Sequence, residues 1–316
     1  MPNTREIIKR RDSVSNICKI TKTMEMIATS KFKKAYQQAY GSRPYTEAIS
    51  HLVGSLAAHH GQISHPLLRD NRHTDTAVVI VITSNRGLCG SFNDSIVRLA
   101  SEQLSKIEKG EHILKDKIDE EVFHDRAAAD FEKYPIDLRV VGKKGIQAFK
   151  NIPFNINVKY TDFDDIVDYG KVEDIADELI DLYSKREISS VKLIYTRFVS
   201  TSLFFPEVLD LLPLSSMGQK LEEGEIGHID VNDYIFSPGP EEILNELIPN
   251  VIRTELYQCF AESVVSEQVS RMRSMQAASD AGDEMIKNLS MQFNRARQSQ
   301  ITGDLLDVVG GAEILR

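Results

Sequence analysis

The sequence predicts an α/β chain in which long N- and C-terminal helices pair as an antiparallel coiled coil and hold a central Rossmann-like α/β domain between them. Three observations predict it. Both ends of the chain run for dozens of residues with little glycine or proline and with apolar residues three or four apart. The middle alternates short β-branched runs with amphipathic segments, the pattern of a parallel sheet with crossover helices. The C-terminal helical pattern is far longer than the ~10–14 residues usual in a globular domain, so much of it needs a partner along its length. The expected boundaries are 1–60 for the N-terminal helix, 61–239 for the central domain and 240–316 for the C-terminal helix.

From Thr4 to about Tyr40 there is no glycine or proline, and Val14, Ile17, Ile20, Met24, Ile27, Lys31 and Ala35 form a narrow stripe. Gly41 and Pro44 can kink this helix before YTEAISHLVGSLAAHH resumes it. The run AVVIVI (Ala77 to Ile82) reads as a buried strand, followed by the glycine-containing turn TSNRGLCGSFN and a helix from Asp94 to about Lys109. A charged segment from Gly110 to Lys133 reads as a solvated insertion. Strand IDLRVVG, helix KGIQAFK, strand NINVKY, helix VEDIADELIDLYSKRE and strand VKLIYTRFV follow, and LFFPEVLDLLPL is expected to pair antiparallel at an edge. SPGPEE then opens the C-terminal helix, whose stripe runs through Leu244, Ile248, Val251, Ile252, Leu256, Phe260, Val265, Val269 and Met275. A lone helix with a narrow apolar stripe is unstable, so the two terminal helices are expected to pair. Because the C-terminal one is longer, its end is expected to project beyond the pair.

Composition narrows the function classes. A formal charge of -9 over 316 residues argues against a nucleic-acid binder as a whole. The segment to Tyr40 nevertheless holds nine basic residues against three acidic ones, which suits an acidic surface as well as a solvated coiled-coil face. Cys18, Cys89 and Cys259 are far apart with no ligand spacing, so neither a zinc site nor a disulfide framework is expected. The N-terminal MPNTREIIKRRD has no apolar core of a signal, and no run reaches the length of a membrane span.

The turn after AVVIVI occupies the place of a phosphate loop but has neither GxGxxG nor GxxxxGK[ST]. It therefore reads as a strand-to-helix turn, with Cys89 a small buried residue beneath it rather than a nucleophile. His59 and His60 diverge by ~100° on a helix and cannot share a metal. The run DFDD (Asp162 to Asp165) lacks calcium-loop spacing and reads as solvated charge. At the C-terminus, Arg295, Arg297, Gln298 and Thr302 precede Leu305, Leu306, Val308, Val309, Ile314 and Leu315, an ending suited to insertion into a partner's socket. On the residues alone, a nucleotide-binding α/β enzyme with coiled-coil arms and a basic-helix nucleic-acid binder remain alternatives to an assembly subunit.

Three stretches carry a resemblance: NICKITKTMEMIATSKFKKA near the start, SNRGLCGSFN in the middle and NRARQSQITGDLLDVVGGAE at the end. Together, in this order and across essentially the whole chain, they resemble the gamma subunit of F-type ATP synthase. The resemblance implies a central-stalk rotor with no catalytic residues, cofactor or metal of its own. It would turn within a hexamer of alpha and beta subunits, with the α/β domain against the epsilon subunit and the membrane c-ring. It also implies a peripheral place on the cytoplasmic face of a bacterial plasma membrane. Met24, Arg297, Gln298 and Thr302 are carried over as candidates for contact with beta-subunit loops, and Arg271 as a further shaft residue. The insertion at 110–133 is longer than in common bacterial members and has no cysteine, so its contacts are not inherited.

Overall fold

The computed structural model describes residues 4–59, 65–69, 71, 74, 76–108, 134–214 and 240–314. The expected insertion at 110–133, His60 and Leu315 lie outside the described residues, as do the side chains of His59, Val309 and Ile314. Two helices dominate by length: α1 (Thr4–His59) is continuous through Gly41 and Pro44, and α5 (Pro240–Ile314) contains Pro249. Pro240 suits the first turn of α5, where a missing N–H costs no helical hydrogen bond. None of the described helices is long and apolar enough to cross a membrane. The chain forms two compact units, one of residues Lys31–Val269 and one of Met1–Ser30 with Ser270–Arg316.

The first unit is built on a five-stranded sheet in the order β3-β2-β1-β4-β5. These strands are β1 (Ala77–Ile82), β2 (Ile136–Val141), β3 (Val158–Tyr160), β4 (Ser190–Phe198) and β5 (Phe204–Leu212). β1 pairs in parallel with β2 and β4, β2 pairs in parallel with β3, and β5 is the antiparallel edge expected from the sequence. Pro206 is tolerated there because an edge strand has one side free of ladder bonds. The central β1 explains its own unbroken apolar run, since successive side chains enter opposite cores. Val78, Ile80 and Ile82 pack with α4 (Tyr169–Ser184) and with Leu244 to Phe260 of α5. Ala77, Val79 and Val81 pack with α2 (Phe92–Glu108) and with Phe149 of α3 (Lys143–Phe149). Helices cover both faces, so the sheet is doubly wound. Each wholly buried Val, Ile or Leu contributes about 1.5–3 kcal/mol to this core.

Polar groups tie the layers where the core alone would not fix them. Arg139, in β2 and 3% exposed, donates to Asp137 and Glu178 at 2.9 Å each and to the Tyr160 hydroxyl at 3.3 Å. Burial alone would lower its pKa, but the hydrogen bonds to Glu178 and Asp137 outweigh it and hold the guanidinium above its ordinary value. Arg253 of α5 reaches Asp177 of α4 at 2.7 Å. Asp168 caps α4 by accepting from the Gly170 amide at 3.0 Å. After β2 the chain turns at Gly142, whose φ of 93° and ψ of 139° suit glycine alone. A Cβ there would lie 2.3 Å from the Thr83 carbonyl oxygen and 2.8 Å from that of Ser84.

The second unit is a pair of helical segments, the start of α1 and the end of α5. Along α1 the least exposed positions are Thr4, Ile7, Arg11, Val14, Cys18, Thr21, Glu25 and Ala28, spaced alternately three and four. Along α5 they include Met275, Ser279, Gly282, Ile286, Leu289, Phe293 and Ala296, with the same spacing. This is a coiled-coil seam. Thr21 and Ser279 share a hydrogen bond of 2.8 Å, Gly282 faces Cys18, and Thr4 reaches Gln300 at 3.5 Å. Rising numbers in α1 meet falling numbers in α5, so the pair is antiparallel.

One expectation is corrected. Val14 and Ala35 face inward as read, but Ile17, Ile20, Met24 and Ile27 are 37–59% exposed and lie one position away from the seam. The inward positions mix apolar residues such as Ile7, Met275, Leu289 and Phe293 with small or polar ones such as Thr21, Ala28, Ser279 and Gly282, and the close approach at Gly282 to Cys18 admits no side chain there.

Candidate functional site

The outward surface of the paired helices holds four of the five sequence-predicted contact residues. Met24 lies on α1 in the exposed row with Ile17, Ile20 and Ile27. On α5, Arg297, Gln298 and Thr302 are exposed, and the Thr302 hydroxyl donates back to the Gln298 carbonyl at 2.9 Å, within its own helix. Arg271 differs from these, being 9% exposed. The antiparallel register places Thr21 level with Ser279 and Cys18 with Gly282, so Met24 lies level with Gln276, five residues or about 7.5 Å along α5 from Arg271. Arg297 is then some 20 residues further on, about 30 Å away at ~1.5 Å per residue. The predicted residues therefore form two groups rather than one site.

Beyond Gln300, which meets the first described residue of α1, α5 continues to Ile314. Ile301, Leu305, Leu306 and Val308 on this extension are 46–70% exposed. Four large apolar side chains within two turns form a surface that single scattered residues do not explain. Asp304 and Thr302 interrupt it on the same stretch.

The seam beneath is tuned for close approach at Gly282. A Cβ there would meet Cys18 Sγ at 2.2 Å and Val14 Cγ1 at 4.0 Å. Gly282→Val should therefore lower the thermal midpoint of the paired helices, followed by circular dichroism on the full chain, and adding Cys18→Ala should recover part of the loss. Equal midpoints for Gly282→Val with and without Cys18→Ala would show that this contact does not set the spacing.

The turn at residues 83–93 is closed on itself. Thr83 Oγ1 donates to the Val141 carbonyl at 2.6 Å and accepts from the Gly145 amide at 2.9 Å. Asn93 Oδ1 accepts from the Ser84 amide at 3.0 Å, and Asn93 Nδ2 donates to Cys89 Sγ at 3.2 Å. Cys89 is buried, as expected, and Leu88 and Gly90 take the left-handed conformation that tightens the turn. These bonds serve to join β1, α2 and α3.

The second departure from the sequence reading concerns DFDD. Asp165 is not simply solvated charge. Its Oδ2 receives Lys31 Nζ of α1 at 2.5 Å and lies 3.9 Å from Arg86 of the turn, while Oδ1 accepts from Gln268 Nε2 of α5 at 3.1 Å. The same segment is pinned on every side. Asn85 Nδ2 donates to the Phe163 carbonyl, and the Phe163 ring lies 4.8 Å from that of Phe260 in α5. Gln38 Nε2 of α1 donates to the Val167 carbonyl at 2.8 Å and to the Tyr257 hydroxyl at 2.6 Å. Burial pushes the Tyr257 phenol up, and the Gln38 bond opposes this in part. A cleft beside these groups is lined by Thr83, Arg86, Val141, Phe163, Asp165 and Glu267. Among the described residues, no group of acidic, His or Cys side chains is arranged to hold a metal ion. Sequence reasoning missed Lys31, Gln38 and Gln268 as partners of this segment. The one available signal was Phe163, an aromatic ring inside an acidic run that otherwise looks solvated.

Comparison with known proteins places this architecture. The family profile described as ATP synthase matches residues 3–315. The ATP synthase gamma chain of Rhodopirellula baltica is 38% identical over 317 residues, covering 100% of this chain and 99% of that one. The ATP synthase gamma chain of Leptospira biflexa is 34% identical over 315 residues, with both chains fully covered. Among solved structures, a chain of the Euglena gracilis mitochondrial ATP synthase OSCP/F1/c-ring assembly aligns with a TM-score of 0.61 at 15% identity, over 99% of this chain and 94% of that one. A chain of the Tetrahymena thermophila mitochondrial ATP synthase central stalk and c-ring aligns with a TM-score of 0.53 at 23% identity, over 82% of this chain and 99% of that one. A doubly wound α/β unit and an antiparallel pair of terminal helical segments, in a chain matched over its whole length by gamma chains, are the basis for one conclusion: the chain belongs to the ATP synthase gamma-chain family.

Proposed function

We propose that this chain is the central-stalk rotor of an F-type ATP synthase, coupling ion-driven rotation of a membrane c-ring to ATP synthesis or hydrolysis on beta subunits. In this reading the helices of 1–60 and 240–316 are the shaft, and 61–239 is the foot against the epsilon subunit and the c-ring. The complex is peripheral to the cytoplasmic face of the membrane, the coupling ion is a proton or sodium, and this subunit has no active site of its own.

The observation that carries the reading is the outward apolar surface of the paired helices in a member of this family. A shaft inside a sleeve of alpha and beta subunits must touch its surroundings at every angle without being held at one. Apolar contacts such as Ile17, Ile20, Ile27, Leu305 and Leu306 are non-directional and suit a bearing. Polar groups give angle-dependent contacts, and only differential contacts select among states. Arg297, Gln298 and Thr302 are proposed to face beta-subunit loops in this role, Met24 to meet such a loop through an apolar contact, and Arg271 to contribute as a further shaft residue.

Removing the last ~20 residues tests the reading. The truncated chain, assembled with the other subunits in membrane vesicles, should lose about tenfold in ATP-driven ion pumping, the order expected when a cluster of buried apolar contacts is lost from an interface. The Lys31–Val269 unit should keep its unfolding midpoint in urea. Full pumping by the truncated complex, or unfolding of that unit, would sink the proposal.

A further inference from the structure

We propose that Asp165 is a positioning residue for rotary coupling: it clamps both long helices to the α/β fold at the edge of the Lys31–Val269 unit. This rests on the rotor reading above and adds to it a place where torque enters the helices.

The argument begins with what one carboxylate holds. Lys31 is the first residue of the unit and Gln268 the last but one, so each lies where its helix leaves it. Asp165 accepts from the first through Oδ2 and from the second through Oδ1. Arg86, from the turn that follows the central strand, stands 3.9 Å from Oδ2. One side chain thus joins α1, α5 and the end of β1. Gln268 is wholly buried, so its amide is a directional contact inside the packing rather than a surface accessory. Lys31 and Asp165 are each about three-quarters buried, which shields their pair from solvent more than an open surface pair.

The segment bearing Asp165 is itself fixed. Asn85 holds the Phe163 carbonyl and accepts from the Lys143 amide at 3.1 Å, while Gln38 holds the Val167 carbonyl. Phe163 rests on Phe260. Apolar packing resists separation of a helix from a sheet, but it resists sliding and rotation of the helix about its own axis much less. Charge-assisted hydrogen bonds are directional and oppose those motions. A rotor needs this second kind of attachment, because its load is torsional.

The test uses the whole complex in membrane vesicles, reading ATP hydrolysis and ATP-driven ion pumping on the same preparation. Asp165→Ala should leave hydrolysis within about twofold while pumping per ATP falls about fivefold, the order expected for losing one ordinary hydrogen-bonded contact. Asp165→Asn, which keeps the Gln268 contact, should fall between. Lys31→Met and Gln268→Leu should each lower the ratio, and adding either to Asp165→Ala should lower it by less than the sum of the single losses, since each meets the same carboxylate. Pumping per ATP unchanged in Asp165→Ala and Asp165→Asn would overturn the clamp, as would losses that add across the three positions. Should Asp165→Ala fail to assemble, Asp165→Asn gives the same decision. A wild-type complex that hydrolyses ATP without pumping would instead count against the rotor reading, so the two failures are distinguishable.

Discussion

Replacing Gly142 with alanine is expected to lower the unfolding free energy of the α/β unit by about 4 kcal/mol, combining backbone strain with overpacking. The position has φ 93°, outside the region open to L side chains, and the added Cβ would stand 2.3 Å from one carbonyl oxygen and 2.8 Å from the next. Neither obstacle can rotate away, because both are backbone of the 83–93 turn, and that turn is bonded to β2 through Thr83. Urea unfolding of the full chain, followed by near-UV circular dichroism, measures the shift. Gly41→Ala is the control. Nothing lies within 4 Å of a Cβ there, and the residue sits inside α1, so alanine should stabilise that helix by up to about 1 kcal/mol. A Gly142→Ala midpoint equal to that of the wild type would mean the turn has another accessible geometry.

Arg139→Ala should cost about 3–5 kcal/mol, the penalty for breaking a buried ion pair and leaving Asp137 uncompensated. Asp137 is 18% exposed in its side chain and stays in the interior once the guanidinium is gone, while Glu178 and the Tyr160 hydroxyl lose a donor. The loss would separate three elements at once, because the guanidinium joins β2, β3 and α4. By contrast Lys185→Ala, which breaks an exposed pair with Asp181, should leave the urea midpoint in place. Comparable shifts for the two variants would show that the Arg139 network is no more than surface charge.

The parts of the fold legible in the sequence are those where local pattern and burial agree. AVVIVI announced a central strand because a parallel strand between two helical layers has no polar face. The stripe on α5 from Leu244 to Val269 was legible because that face meets apolar core clusters. The seam of the paired helices was harder. Its inward residues include Thr21, Ala28, Ser279 and Gly282 beside Ile7, Met275 and Leu289, so hydropathy marks only part of it, whereas Ile17, Ile20 and Ile27 advertise an inward face and point outward. Among the described residues none covers these side chains, and exposed apolar rows of this kind mark a docking surface. The Asp165 cluster was illegible for another reason. Its members stand at positions 31, 86, 165 and 268, and nothing local links them until the sheet brings the turn and the long helices together.

The spacing of the seam has a mechanical consequence. A repeat of 3.5 residues is slightly shorter than the natural turn of an α-helix, so the two helices must wind about each other to the left. A wound pair is chiral and responds differently to the two senses of twist. Twist in the sense of the winding presses the strands together where Gly282 and Cys18 already meet, and the contact stiffens. Twist in the opposite sense opens the strands and loads the Thr21–Ser279 hydrogen bond in tension. A left-handed pair therefore has no reason to resist the two senses of twist equally.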